Sequence, residues 1–168
     1  MTRTRGKTTA TEEIWRLLQS VPDPEIPIIS IVDLGIVRDV FDEGHPVVAI
    51  TPTYSGCPAT EMIEQSVREV LDEAGHPDAE IRTVISPAWT TDWISDDGRR
   101  KLREYGIAPP AASAARGRGL FGGVGLAIAC PRCGSTATSR VSEFGSTPCK
   151  AHYQCGACAE PFDYFKCL

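Results

Sequence analysis

Apolar residues recur at helical spacing near the start of the chain. Ile14, Leu18 and Val21 follow Thr9 and Glu12, which stand at capping-box spacing. The pattern predicts a short amphipathic helix over 10–20. Pro22, Pro24 and Pro27 then forbid its continuation, because proline lacks an N–H and restricts the residue before it. Asp23-Pro24-Glu25-Ile26-Pro27 must therefore be an ordered loop or an extended segment. Two β-rich stretches, 36–41 and 47–51, flank polar Asp42-Glu43-Gly44-His45 and read as a hairpin. The clearest helix is 58–75, with Ile63, Val67, Val70, Leu71 and Ala74 in one stripe. Pro58 suits its first position and Gly75 its C-terminal cap. A third strand follows at 80–85. Strand, helix and strand in that order predict a right-handed crossover with parallel strands. A last helix is expected from Ser95 to Tyr105, ended by Gly106 and Pro109.

The pattern changes after residue 108. Pro109-Pro110, a run of alanines and clustered glycines up to Gly125 make a poor core. The expected organisation is an α+β domain over 1–108, a flexible linker over 109–127 and a small β module over 128–168. The α+β domain would be a small mixed β-sheet with flanking helices.

Composition narrows the class. The chain has 168 residues, of which 42% are hydrophobic and 23% charged, ordinary values for a folded domain with a core. Lys plus Arg is 17 and Asp plus Glu is 22, a net charge of −5. That balance gives no electrostatic support for nucleic acid or an anionic membrane as partner. No run of about 18 apolar residues exists to span a bilayer, and Arg3, Arg5 and Lys7 precede no apolar stretch. The expected location is the cytoplasm.

The cysteines carry the chemistry. There are seven, and six fall between Cys130 and Cys167. In a reducing compartment this clustering points to metal ligation or redox chemistry rather than a disulfide scaffold. Cys130-Pro-Arg-Cys133-Gly134 and Cys155-Gly-Ala-Cys158 are two Cys-x-x-Cys pairs. Two intervening residues let both thiolates of a pair reach one ion from a tight turn, and Gly134 lets the backbone fold back toward sulfur. Four thiolates about 2.3 Å from a tetrahedral ion describe a structural zinc site, although iron would also fit. Some forty residues cannot build a sufficient core, so the metal would supply much of the folding energy.

Cys149 and Cys167 stand apart. Cys149, Ala151, Tyr153 and Cys155 would share one strand face. Six residues at about 3.3 Å each put Cys149 roughly 20 Å from Cys155, too far for the same ion. If their strands pair antiparallel, Cys149 and Cys167 both sit at the end away from the metal, as a possible extra thiol pair or as two buried apolar thiols.

Cys57 lies in Thr51-Pro-Thr-Tyr-Ser-Gly-Cys57-Pro58, between a strand and the long helix. Free N–H groups and the positive dipole end at a helix start make that the environment of a reactive or metal-binding thiol. An ordinary buried cysteine is an equal reading from position alone. Asp23, Glu25 and Asp33 offer carboxylate ligands, though surface solvation is the usual fate of acids. His45, His76 and His152 have no partner at ligand spacing. There is no phosphate loop, dinucleotide fingerprint or nucleophile elbow, so no catalytic residues are assigned and no catalytic activity of the chain alone is expected.

Asp23-Pro-Glu-Ile-Pro, Asp33-Leu-Gly-Ile-Val and Thr53-Tyr-Ser-Gly-Cys57-Pro resemble the iron–sulfur cluster assembly domain family, which includes SufT. That likeness covers roughly 10–108. Over the whole chain the sequence resembles the PaaD (PaaJ) family of phenylacetate degradation. The added segments are Trp89-Thr-Thr-Asp-Trp-Ile-Ser, Gly106-Ile-Ala-Pro-Pro and Glu160-Pro-Phe-Asp-Tyr-Phe-Lys-Cys167. The resemblance implies an α+β domain with a zinc-ribbon-like tail. It also implies a role with the subunits of the phenylacetyl-CoA epoxidase complex, which joins a di-iron oxygenase to an iron–sulfur, flavin-containing reductase. Maturation of a metal centre is favoured over oxygenation, because the chain lacks the two Glu-x-x-His motifs that a di-iron site uses. A stable structural subunit of the oxygenase is the alternative. The resemblance makes Cys57, Asp23, Glu25 and Asp33 contacts for a transient iron or iron–sulfur cluster.

Overall fold

The computed structural model describes residues 9–54, 56–110 and 128–166. It falls into two compact units, which divide between Trp93 and Ile94.

The first unit is a three-stranded sheet with two helices. Helix α1 (Thr9–Leu18) buries Thr11, Ile14 and Leu18 at one-turn spacing. Thr9 is already helical rather than a cap. After α1 the chain turns back on itself. Asp23 N–H donates to the Ile29 carbonyl at 2.9 Å, and Ile31 N–H to the Val21 carbonyl at 3.0 Å. Ile26, Ile29 and Ile31 are buried, so the proline-rich stretch is an ordered loop anchored by isoleucines. Strands β1 (Val37–Asp42) and β2 (Pro46–Ile50) form the expected hairpin, with Val40 opposite Val48 and Phe41 opposite Val47. Its register shifts between Val37 and Asp39, a bulge that carries Arg38.

Helix α2 (Ala59–Glu73) buries Ala59, Ile63, Val67 and Leu71. It ends in a Schellman motif, with His76 N–H on the Leu71 carbonyl, Gly75 N–H on the Asp72 carbonyl and Gly75 at φ +84°. Strand β3 (Glu80–Thr83) then runs parallel to β2. The sheet order is β1-β2-β3, so α2 is the crossover that parallel strands require. β2 is covered on both sides: Val48 and Ile50 share one face, and Val47 and Ala49 join Phe41 and Val84 in a small cluster on the other.

The second unit begins with α3 (Asp96–Tyr105). Ser95 caps it by accepting from Gly98 N–H at 2.9 Å, and Gly106 ends it at φ +94°. Strand β4 (Ile107–Ala108) follows, then β5 (Thr138–Ser142), β6 (Lys150–Cys155) and β7 (Pro161–Phe165) after the segment 111–127. They form one sheet of order β4-β7-β6-β5, with β4 parallel to β7 and the other pairs antiparallel. The sequence groups 95–108 with the preceding domain, whereas β4 pairs with β7 and stands with the cysteine-rich unit. Most of the expected linker, 111–127, lies outside the described residues. Among the described residues no helix is long and apolar enough to cross a membrane.

Candidate metal centre

Each Cys-x-x-Cys pair sits on its own turn. In the first, Gly134 N–H donates to the Cys130 carbonyl and Cys130 N–H to the Ser135 carbonyl, both at 2.9 Å. Gly134 takes φ +75° to close it. In the second, Cys155 ends β6 and its N–H donates to the Glu160 carbonyl at 2.9 Å. There the left-handed residue is Ala159, at φ +61°. No glycine marks that position in the sequence. An ion pair between Arg132 and Glu160 links the two turns.

The four sulfurs converge. All lie within 4.8 Å of one another, with Cys130 Sγ 3.8 Å from Cys158 Sγ and Cys133 Sγ 3.6 Å from Cys155 Sγ. Four ligands at about 2.3 Å in a tetrahedron stand about 3.8 Å apart, so the spacing suits one ion at the centre. Cys130 and Cys155 are buried on the sheet side, and Cys133 and Cys158 are exposed. Ala108, Ala151, Phe162 and Tyr164 complete the small apolar core beneath, with Tyr153 packed against Phe162 and Tyr164.

Backbone N–H groups also aim at sulfur. Those of Cys158 and Ala157, working against burial, hold the Cys155 thiol down to about 7. The N–H of Glu160 acts the same way on Cys158, yet burial and the thiols of Cys133, Cys155 and Cys130 push Cys158 up to about 12. Four thiolates this close repel one another unless a cation stands among them. The donor set is thus built for a metal ion rather than for free thiols.

Cys57 sits where the sequence places it, two residues before α2, half-buried, with Pro58 at the cap. Thr60 N–H donates to the Cys57 carbonyl at 3.2 Å, and Thr53 Oγ1 lies 3.9 Å from Cys57 Sγ. Asp23 and Asp33 are both buried. One Asp23 carboxylate oxygen accepts from Glu25 N–H at 2.9 Å and Ile26 N–H at 2.8 Å. This is an Asx-type turn that orders the proline loop. Asp33 N–H donates to Ser30 Oγ at 3.0 Å. Among the described residues the four ribbon cysteines are the ligand set that converges, and Cys57, Asp23, Glu25 and Asp33 do not form another. Cys149 is buried, with its sulfur 3.0 Å from Thr147 Oγ1, outside the set of four. Its carbonyl accepts from Lys166 N–H at 2.9 Å, which places it at the strand end away from the metal turn. Cys167 lies outside the described residues. His152 faces Asp163 at 3.4 Å rather than the cysteines.

Comparison with known proteins follows the same division. Residues 11–83 match the family model described as iron–sulfur cluster assembly protein, and residues 121–166 match the PaaD zinc beta ribbon domain. An Escherichia coli (strain K12) protein, provisionally named as one of the subunits of 1,2-phenylacetyl-CoA epoxidase, is 50% identical over 93% of this chain and 92% of its own length. The chain belongs to the PaaD family. Its first unit is also similar to the Staphylococcus aureus (strain USA300) Fe-S protein maturation auxiliary factor SufT, at 44% identity over 45% of this chain and 88% of that protein. A solved domain of unknown function, DUF59, from Bacillus anthracis is 32% identical and covers 55% of this chain and 90% of its own, with a TM-score of 0.50. The chain therefore joins an α+β assembly-type domain to a four-cysteine ribbon. The first match contains Cys57 and the three acids, and the second contains all four ribbon cysteines.

Proposed function

We propose that this PaaD-family chain is a cytoplasmic accessory protein that helps install or maintain the metal centres, iron–sulfur or di-iron, of a phenylacetyl-CoA epoxidase. The observation that carries the reading is the union in one chain of an iron–sulfur assembly domain and a PaaD ribbon. Near-full-length identity to a protein named for that epoxidase supports it, as do relatives named Fe-S protein maturation auxiliary factors. In this reading Cys130, Cys133, Cys155 and Cys158 hold a structural zinc ion. The filled shell of four thiolates leaves that ion no open position for chemistry. The ribbon is then a rigid platform for an epoxidase subunit. Cys57 is the transient contact for iron or a cluster, and Asp23, Glu25 and Asp33 shape or assist that contact. Iron here is cargo, passed on rather than kept.

The first test is metal and acid-labile sulfide content, with an absorption spectrum, on protein purified without oxygen. About one zinc per chain and a colourless sample support the reading. Stoichiometric iron with sulfide and a brown chromophore would make the chain itself a cluster carrier. The second test is the iron content of epoxidase purified from cells carrying Cys57→Ser. Low iron in a normally assembled enzyme supports the assignment of Cys57, and full iron overturns it.

A second reading, a stable structural subunit of the complex, is favoured by the name of the Escherichia coli relative. The two part on stoichiometry. A structural component co-purifies with the mature enzyme at a fixed ratio, whereas a maturation factor does not.

A further inference from the structure

The sheet of the first unit has a second face that the metal chemistry does not use. It carries a pocket of about 310 Å³. Phe41, Ala49 and Val84 line it with apolar surface, and Arg38, Asp39 and Arg82 supply its charge. About ten water-sized groups fill such a volume, which is the scale of a small organic molecule.

The two arginines are not equivalent. Arg82 is satisfied: its Nε donates to Glu80 at 2.7 Å and its terminal nitrogen reaches Glu43 at 3.2 Å. Arg38 is placed by the β1 bulge, and its guanidinium stacks 3.2 Å from the centre of the Trp93 ring. Among the described residues no carboxylate pairs with Arg38. Asp39 is itself partnered. Burial lowers the pKa of Arg38, the mark of a cation losing water without gaining a counter-ion. Stacking on indole fixes the guanidinium plane and leaves its N–H edge free. A planar fork of donors fits a carboxylate at two points.

We infer that this pocket binds a small free carboxylic acid with an apolar body, its carboxylate on Arg38 and its body against Phe41, Ala49 and Val84. The ligand would be an acid of about ten non-hydrogen atoms. The site is independent of the cysteine chemistry and stands whether or not the maturation reading holds.

The test titrates the full-length, metal-loaded chain with 3-phenylpropionate and with 3-phenylpropionamide. Calorimetry reads affinity, and amide chemical shifts of Phe41, Ala49 and Val84 read location. Saturable binding of the acid with shifts at those residues, and at least about tenfold weaker binding of the amide, is the expected result. Arg38→Gln should weaken the acid by a similar factor. Arg38→Lys, which keeps the charge and loses the fork, should fall between. The acid–amide comparison on the unsubstituted chain needs no variant to fold. Equal affinity for acid and amide, shifts confined to other residues, or no saturable binding would overturn the inference. N-acetylphenylalanine separates a free acid from the end of a protein chain. Its binding more tightly than 3-phenylpropionate would overturn the free-acid assignment.

Discussion

Gly134 and Ala159 hold the same place in the two cysteine turns, each one residue past the second cysteine, and both adopt a left-handed backbone at φ +75° and +61°. The first position is free of the usual steric cost because glycine has no Cβ. The second carries that cost, about 1–2 kcal/mol for an L-residue.

Exchanging the two types should therefore have opposite effects. Nothing lies within 4 Å of a Cβ built on Gly134, so Gly134→Ala tests conformation alone. It should lower ribbon stability by about 1 kcal/mol. Ala159→Gly should raise it by up to about 1 kcal/mol, with extra freedom of the unfolded glycine offsetting part of the gain. Denaturant melts of the zinc-loaded variants check both signs.

Metal removal should unfold the second unit selectively. Its apolar core is small, and Cys130 and Cys155 are part of it. A chelator should abolish the near-ultraviolet signal of Tyr153 and Tyr164 and leave the helical signal of α1 and α2. Any one of the four cysteines changed to serine should do the same.

Acid should release the ion. Bound metal holds all four thiols deprotonated, far below their free pKa values, so the stabilisation is present at neutral pH and lost as pH falls. In the metal-free chain backbone N–H groups hold the Cys155 thiol down to about 7, while burial and the neighbouring thiols push the Cys158 thiol up to about 12. Loading near neutral pH must therefore expel protons, Cys158's above all. Zinc affinity followed with a colorimetric chelator should rise with pH through the neutral range. A flat profile would sink the four-thiolate assignment.

The acidic loop can be separated into scaffold and chemistry. Asp23 accepts two backbone N–H groups, so Asp23→Ala should cost about 1–3 kcal/mol. Asp23→Asn keeps an acceptor oxygen and should stay near wild-type stability. If Asn also sustains epoxidase iron content in cells, Asp23 is scaffold alone. Low iron with an intact fold makes it part of the contact.

Gly35 should tolerate no side chain. It stands at φ +75°, and an added Cβ would meet the Trp93 Cβ and carbonyl oxygen at 2.7 Å. Trp89 Nε1 donates to the neighbouring Leu34 carbonyl at 3.0 Å. Gly35→Ala should therefore lower the stability of the first unit by about 2–5 kcal/mol, from strain plus overpacking. A urea melt of the full chain reads it.

Much of this was legible in the sequence because it is local. The stripe Ile63, Val67 and Leu71 with Gly75 after it specifies α2, and two residues between cysteines specify each turn. What escaped is non-local or lacks a marker. Ile107-Ala108 is too short to show a period, and its partner Asp163-Tyr164 lies far along the chain. The bulge at Arg38 is one shifted residue in an otherwise ordinary strand. Ala159 gives no hint of a left-handed backbone, which glycine would have given. The buried Asp23 reads as a surface acid until its two N–H donors are seen.

The parallel pairing of β4 with β7 also sets a timetable. Ile107 sits opposite Asp163, so on the ribosome β4 emerges 163 − 107 = 56 residues before its neighbour is made. At ordinary synthesis speeds that is roughly 3 to 11 s. The turn of Cys130 and Cys133 is complete midway through that interval, and the turn of Cys155 and Cys158 only at its end. Half a thiolate cage and an unpaired strand thus wait together. Capture of the ion and closure of the sheet therefore come after the first unit has been made, and a cell short of the metal would leave the first unit finished and the second still open.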